Sequence, residues 1–265
     1  MEQQQLIAPS TRTEIEARLA NVAAEEGMRL LMAVESGSRA WGFPSPDSDY
    51  DVRFLYVRPR RDYLSFVTKR DVVERPIVDE IDLNGWDIRK AIGLLLRHNA
   101  VFSEWMNSPI RYMPDDPVVA ELAMLADRHF NPRGYAQHYA SLARGAMARW
   151  FGEGDEGVSV KRYFYALRPA LTIRALRIDP SQRPPMNRRP LMQAAGIDAV
   201  LTEQIDALIA IKADVAETGR VQRQSAIERL IEEELDRAAQ IPERDTGDIF
   251  REEAEALFLQ LVEEQ

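Results

Sequence analysis

An α+β protein is expected: an N-terminal α/β domain with a short mixed sheet, then an all-helical C-terminal domain. Three observations lead there. Short apolar runs at Leu30–Val34 and Val52–Val57 have strand length and flank a loop rich in Gly, Pro, Ser and Asp. Pro109, Pro114 and Pro117 then punctuate a connection. Beyond it, apolar residues recur at helical spacing almost to the end. The boundary is placed near residue 113, giving domains 1–113 and 114–265.

Composition bounds the function. At 265 residues the chain can bury a substantial core. Its 45% hydrophobic and 29% charged residues are ordinary for a soluble protein. There is no cysteine, which excludes disulfides and cysteine-based zinc sites, and the three histidines (His98, His129, His138) suggest no compact metal cluster. The absence of a secretory signal or a long uncharged apolar run makes cytoplasmic location, away from membranes, the default. A net charge of −9 argues against indiscriminate nucleic-acid binding. The charge is uneven, however. Lys161, Arg162, Arg168, Arg174, Arg177, Arg183, Arg188 and Arg189 lie between Val158 and Met192 against Asp179 alone. That stretch is either a cationic wall for a polyanion or two solvated helical faces.

In chain order, residues 1–10 read as a loose arm. Thr11 or Thr13 is expected to cap a helix to about Glu26, with Ile15, Leu19 and Val22 on one face and Gly27 as its stop. Met28–Glu35 reads as a buried strand and Asp49–Val57 as a second. On the second, Asp49, Asp51 and Arg53 share one face while Tyr50, Val52, Phe54 and Tyr56 share the other. Arg58–Arg70 is a basic, irregular connection anchored by Tyr63, Leu64 and Phe66. A third strand is expected over roughly Arg75–Leu83, with Glu80 and Asp82 on one face. Asn84 is then expected to cap a helix to about Asn99, with Asp87 in a capping-box position. In the helical part, Val118–Phe130, Tyr135–Phe151, Val160–Ile178, Asp198–Ala216, Gln222–Ala239 and Asp248–Glu263 are helix candidates, with an exposed loop at 152–157 and a kink at Pro169. Lys161, Tyr165, Arg168 and Thr172 fall on one helical stripe, which either lines a cleft or faces water.

The chemistry concentrates in Ser36–Asp51. Two acids at i, i+2 on a strand place their Cα atoms about 6–7 Å apart, close enough to share a hard cation such as Mg²⁺. Gly37 permits tight backbone geometry beside a phosphate. Asp47-x-Asp49-x-Asp51 resembles the start of an EF-hand loop, but the sixth and twelfth positions are Val52 and Arg58, so that reading fails. Gly42-Phe43-Pro44 likewise lacks the Gly-Lys-Ser/Thr of a Walker loop. Asp47 and Ser48 read as ordinary turn residues. Trp41 and Phe43 either pack beneath the loop or stack on a base. A third carboxylate is expected from Asp82 first, Glu80 second and Asp79 third.

The run Gly37-Ser38-Arg39-Ala40-Trp41-Gly42-Phe43, continuing through Ser45-Pro46-Asp47-Ser48-Asp49-Tyr50-Asp51-Val52-Arg53-Phe54, resembles the signature of the DNA polymerase beta-type nucleotidyltransferase superfamily. In its fuller form it is similar to the RlaP or YcgL-like group, which has been linked to RNA repair. The resemblance continues through Asn84–Lys90 and Glu104–Ile110, and more loosely through Lys161–Pro169. It implies a metal-dependent transfer of a nucleoside monophosphate from a nucleoside triphosphate, ATP foremost, with the nucleotide in a cleft between the domains. Asp49, Asp51 and Asp82 would bind Mg²⁺ or Mn²⁺, with Asp82 also assisting deprotonation. Gly37 and Ser38 would hold the terminal phosphates, and Arg39, Lys90, Lys161 and Arg168 would neutralise their charge. For Lys90 a plain surface position is an equal alternative. The implied acceptor is an RNA 3′ end. Rival expectations are adenylylation of a partner protein, transfer to a small molecule, and a catalytically silent nucleotide-binding module. Nothing in the sequence sets the oligomeric state.

Overall fold

The computed structural model describes residues 7–150, 157–214 and 219–264. In chain order, helix α1 (Pro9–Glu26) leads to strand β1 (Arg29–Glu35), a single-turn helix α2 (Gly37–Trp41) and strand β2 (Tyr50–Val57). Then come α3 (Arg60–Leu64), β3 (Val72–Glu74), β4 (Ile81–Asp87), α4 (Ile88–Leu95), α5 (Ala100–Met106), α6 (Pro117–Arg128) and α7 (Pro132–Trp150). The rest comprises β5 (Val158–Ser159), α8 (Val160–Ile178), α9 (Arg188–Ala194), α10 (Ala199–Asp214), β6 (Arg220–Val221), α11 (Ser225–Arg237), a 3₁₀ turn at Ala238–Gln240, and α12 (Gly247–Glu263). The α+β expectation holds.

The chain forms two compact units. One comprises Met1–Ala40, Asp49–His129 and Thr246–Gln265; the other comprises Trp41–Ser48 and Phe130–Asp245. The division therefore falls at 129/130, not at the expected 113. The cause is packing. The apolar stripes of α6 and α12 bury Val118, Leu122, Leu125, Phe250, Ala254 and Leu261 in one cluster with Val34, Leu55 and Ile88. Periodicity shows that these stripes exist but not where they dock.

In the first unit the sheet runs in the order β1-β2-β4-β3. β1 and β3 are antiparallel to their neighbours, whereas β2 and β4 are parallel, so the sheet is mixed. Alternation divides its side chains between two apolar layers. Val52, Phe54 and Tyr56 pack with Ile15, Leu19 and Val22 of α1, while Leu55 and Val57 face the cluster containing α4, α5, α6 and α12.

Several boundaries differ from expectation. α1 begins at Pro9, with proline in the first turn and no side-chain cap, so neither Thr11 nor Thr13 is the cap. Its end is as expected: Gly27 adopts φ +59° and donates its N–H to Ala24 O at 3.3 Å. The segment expected as one strand over 75–83 instead contains a tight turn. Asp79 and Glu80 both have positive φ, as the central residues of a type I′ turn require, and Ile81 N–H donates to Val78 O. That turn takes Glu80 out of the strand and delays β4 until Ile81. β4 then runs through Asn84, so Asn84 is not a helix cap. Asp87 is the N-cap itself, accepting from Arg89 N–H at 2.8 Å.

In the second unit α8 runs unbroken through Pro169. The missing N–H would have bonded the Tyr165 carbonyl one turn earlier, and Tyr165 lies exposed where water can serve. Phe43 stacks on Phe164 with centroids 4.5 Å apart, and Lys212 Nζ donates to Phe43 O at 2.9 Å, so packing accounts for Phe43. The basic run is only partly a solvated face. Arg174, Arg177 and Arg237 converge on the fully buried carboxylate of Glu234, and Arg177 binds both of its oxygens at 2.9 and 3.0 Å. Arg188 pairs with Asp206. Arg168 is buried, with its guanidinium 4.7 Å from the Trp41 ring. Thr172 is buried as well and back-bonds to Arg168 O at 2.9 Å. The expected loop at 152–157 lies, except for Gly157, outside the described residues. Among those residues no helix is long and apolar enough to cross a membrane.

Glu234→Ala is expected to leave three guanidiniums clustered without their acid. The arginines left behind are about a third exposed and can be hydrated, so the expected loss is about 1–3 kcal/mol. Urea denaturation followed by circular dichroism measures this, and an unchanged midpoint would contradict the assignment.

Candidate active site

Parallel pairing of β2 with β4 sets Asp51 opposite Asp82 in register. Both lie near the N-terminal ends of their strands, on the same sheet face as Leu55 and Trp86 but beyond the apolar cluster. Like charges this close repel, and Arg53, next on the same face, answers that repulsion. Its Nη2 stands 2.8 Å from Asp51 Oδ1 and 2.8 Å from Asp82 Oδ2, and Nη1 donates to Asp82 O at 2.9 Å. The three side chains are part-buried, so these pairs are less screened than those of an open surface.

Gly37 fits against this pair. Its φ is +60°, and a Cβ placed on it would lie 1.9 Å from Asp51 Oδ2. Only glycine satisfies both constraints. Ser36 N–H donates to Asp51 O at 2.8 Å, which ties the turn to the strand it faces. Ser38 follows on α2. Arg39 lies with its guanidinium 4.0 Å from the Tyr50 ring and its Nε 3.4 Å from Asp49 O, so it is close to the pair's flank.

Asp49 stands one residue before β2, so strand alternation does not extend to it. It is part-buried, and its carboxylate forms no ion pair among the described residues. Glu80 is exposed in the turn, although its carbonyl accepts from Tyr50 N–H at 2.7 Å. Asp79 pairs with Arg18 at 2.6 Å. Lys90 lies 3.8 Å from Asp71 and over the Trp86 ring. Lys161 and Arg168 belong to the second unit. The structure thus brings together Gly37, Asp51 and Asp82, with Arg39 and Asp49 adjoining.

Glu35 was not singled out by its sequence. It ends β1 fully buried, accepting from Asp51 N–H at 3.0 Å and from the Tyr112 hydroxyl at 2.5 Å. Burial pushes its carboxyl up to about 8, with the Asp51 charge adding to the rise and the Tyr112 bond opposing it. Its carbonyl accepts from Ser108 Oγ at 2.6 Å. Glu35 therefore holds the Asp51 backbone from behind. The available signal was a lone acid closing an apolar strand, which reads equally well as a strand end meeting water.

Hard oxygen donors suit a divalent cation, and two of them already converge on one cationic atom of Arg53. The oxygen chemistry suits such an ion, although only Asp51 and Asp82 of the expected three acids are brought together and Arg53 bridges them. Among the described residues no group of three or more His, Cys, Asp or Glu is arranged to hold a metal.

A mixed sheet bearing two register-matched acids against an obligatory glycine turn agrees with the nucleotidyltransferase class, which rests on the family match. Residues 11–260 match the family described as "RlaP: RNA repair pathway DNA polymerase beta family", and the chain belongs to that family. It is 36% identical over 219 residues to the uncharacterized protein YcgL of Bacillus subtilis, covering 83% of each chain. Among solved structures, a nucleotidyltransferase-like protein from Exiguobacterium sibiricum matches 95% of this chain and 80% of its own at 12% identity. The TM-score is 0.31, so the fold is argued from the sheet itself.

Two outcomes test the site. Between pH of about 4.5 and 8 the folded protein keeps on Glu35 a proton that the unfolded chain has lost, so this group's contribution to stability is full below that window and declines as pH rises through it. Glu35→Gln can accept from Asp51 and still reach Tyr112, so its stability is expected to fall less steeply from pH 5 to 8.5 than wild type in urea titrations. Parallel curves would overturn the buried-acid assignment. Gly37→Ala is expected to lower the melting temperature, because both φ and the Asp51 contact oppose a Cβ; differential scanning fluorimetry reads this.

Proposed function

We propose that the protein transfers a nucleoside monophosphate from a nucleoside triphosphate to an acceptor hydroxyl, and that the acceptor is an RNA 3′ end. The acceptor oxygen attacks the α-phosphorus. A new phosphorus–oxygen bond forms, the bond to pyrophosphate breaks, and the hydroxyl proton passes to a carboxylate and then to water. The observation that carries this reading is the convergence of Asp51 and Asp82 beside Gly37. Family membership supports the reaction class, and the family's description supports RNA as acceptor.

Asp51 and Asp82, with Asp49 adjoining, would hold Mg²⁺ or Mn²⁺, which when bound supplies charge neutralisation for the triphosphate and the departing pyrophosphate. Asp82 is the candidate proton acceptor, because it sits on the neighbouring strand beside Asp51. Gly37 and Ser38 would lie against the terminal phosphates, with ATP as the expected donor. Arg39 is near enough to the pair's flank to turn from the Tyr50 ring towards an anion. Arg53 orients both acids and relinquishes them when a cation or substrate takes its place. Lys90 is held beside Asp71 and is given no role in this step.

Transfer of label from each α-labelled nucleoside triphosphate to RNA is the direct assay, with protein and small-molecule acceptors run beside it. Asp51→Ala and Asp82→Ala are each expected to lose at least about a hundredfold in turnover while remaining folded. Wild-type turnover in both variants would overturn the site. Label on a protein or small molecule but not on RNA would overturn the acceptor.

A further inference from the structure

The opposite end of the same two parallel strands carries a second charged surface. The connection Arg58–Arg70 holds Arg58, Arg60, Arg61, Lys69 and Arg70 against Asp62 alone, a local balance of five minus one, or +4, in a chain of net −9. On it Phe66 is 99% exposed, and Leu64 and Val67 are 72% and 60% exposed. Beside it lies a cavity of about 300 Å³ lined by the cations Arg58, Lys69, Arg70 and Arg89 and by the acids Asp62, Asp71 and Asp87.

Most of these cations are held loosely. Lys69 pairs with Asp62 at 2.8 Å and Arg70 with Glu74 at 3.2 Å, both at exposed positions where ion pairs contribute little and exchange readily for phosphate. Arg89 rests on the Tyr63 and Phe258 rings at 4.9 and 5.5 Å and makes no ion pair with a carboxylate among the described residues. Arg58 is buried, bonded to Glu26, and its Nε has no hydrogen-bond partner. An aromatic ring fully in water, on a connection rich in arginine and lysine, matches the stacking platforms and charged grooves that bind single strands.

We propose that the Arg58–Arg70 connection and its adjoining cavity bind a single-stranded polynucleotide, with Phe66 stacking on an unpaired base and Arg60, Arg61, Lys69, Arg70 and Arg89 facing phosphates. A duplex offers no free base face to Phe66. A bilayer would meet the apolar residues but would leave the cavity that Lys69, Arg70 and Arg89 line unused. From Asp51 to Arg58 the strand spans seven residues, about 23 Å at 3.3 Å per residue. A polynucleotide of the length that such sites commonly occupy, about 4–16 nucleotides, is long enough to extend along the unit from this surface. The role in a reaction rests on the proposed RNA acceptor, but binding here is measurable without turnover.

The test is fluorescence anisotropy of the full chain with a fluorescein-labelled 12-nucleotide single-stranded RNA, without nucleotide or divalent cation. Wild type is expected to bind with an affinity that falls as salt rises from 50 to 200 mM. Phe66→Ala is expected to weaken binding by about fivefold or more, and Arg61→Glu/Arg70→Glu by about tenfold or more. Unaltered affinity in both surface variants overturns the proposal, as does binding to anionic phosphatidylserine vesicles without binding to RNA. Surface-dependent RNA binding with no transfer of any nucleotide sustains this inference and overturns the reaction. Transfer to RNA with affinity indifferent to the surface variants does the reverse.

Discussion

Parallel pairing of β2 with β4 is the constraint on which the site depends. It places two carboxylates on adjacent strands in matched register, where they repel each other unless a cation stands between them. Every nearby choice follows from that. Gly37 gives up a side chain because Asp51 fills the space a Cβ would take. Glu35 keeps a buried, proton-holding carboxyl behind the strand so that the Asp51 amide has an acceptor. Arg53 supplies a charge within the site and bonds both acids at once. A site built this way is pre-assembled, because the sheet rather than a mobile loop sets the separation of its acids.

The cations divide into two groups with different physical fates. In the second unit, Arg174, Arg177 and Arg237 neutralise the buried Glu234, and Arg168 is enclosed among aromatic rings. Those charges are engaged by partners within the unit. In the first unit, Arg61, Lys69 and Arg70 of the Arg58–Arg70 connection are exposed, as is Phe66, whereas Arg58 is buried against Glu26. Net charge alone would have ranked the helical stretch as the better candidate for a polyanion. Ion pairing to Glu234 and Asp206 lowers that rank for Arg174, Arg177 and Arg188.

Much of the first unit was legible in the residues. The apolar run of β1, the alternation of β2 and the stop at Gly27 follow from local chemistry, and the structure keeps them. The third strand starts later than its pattern suggests because Glu80, Asp82 and Asn84 alternate with Ile81 and Leu83 while Asp79 and Glu80 form a tight turn, and alternation over so few residues does not separate the two. Asp87 was recognised as a capping residue but assigned the wrong capping position, since Asn84 offers the same chemistry three residues earlier. Glu35 was passed over because an acid at a strand end is ordinary. Its distinction lies in burial, and burial is a property of what surrounds it.

By itself the sequence determined the fold class, the family, and the identity of the acids and glycine that make the candidate site, because strand period, turn chemistry and residue type are local and leave a local imprint. Only the tertiary structure decided that Asp51 faces Asp82, that Arg53 joins them, that the last helix returns to the first unit, and which arginines remain open to solvent. Each of these depends on register or docking between segments far apart in the chain. A stripe or a charge carries no mark of the partner it will meet.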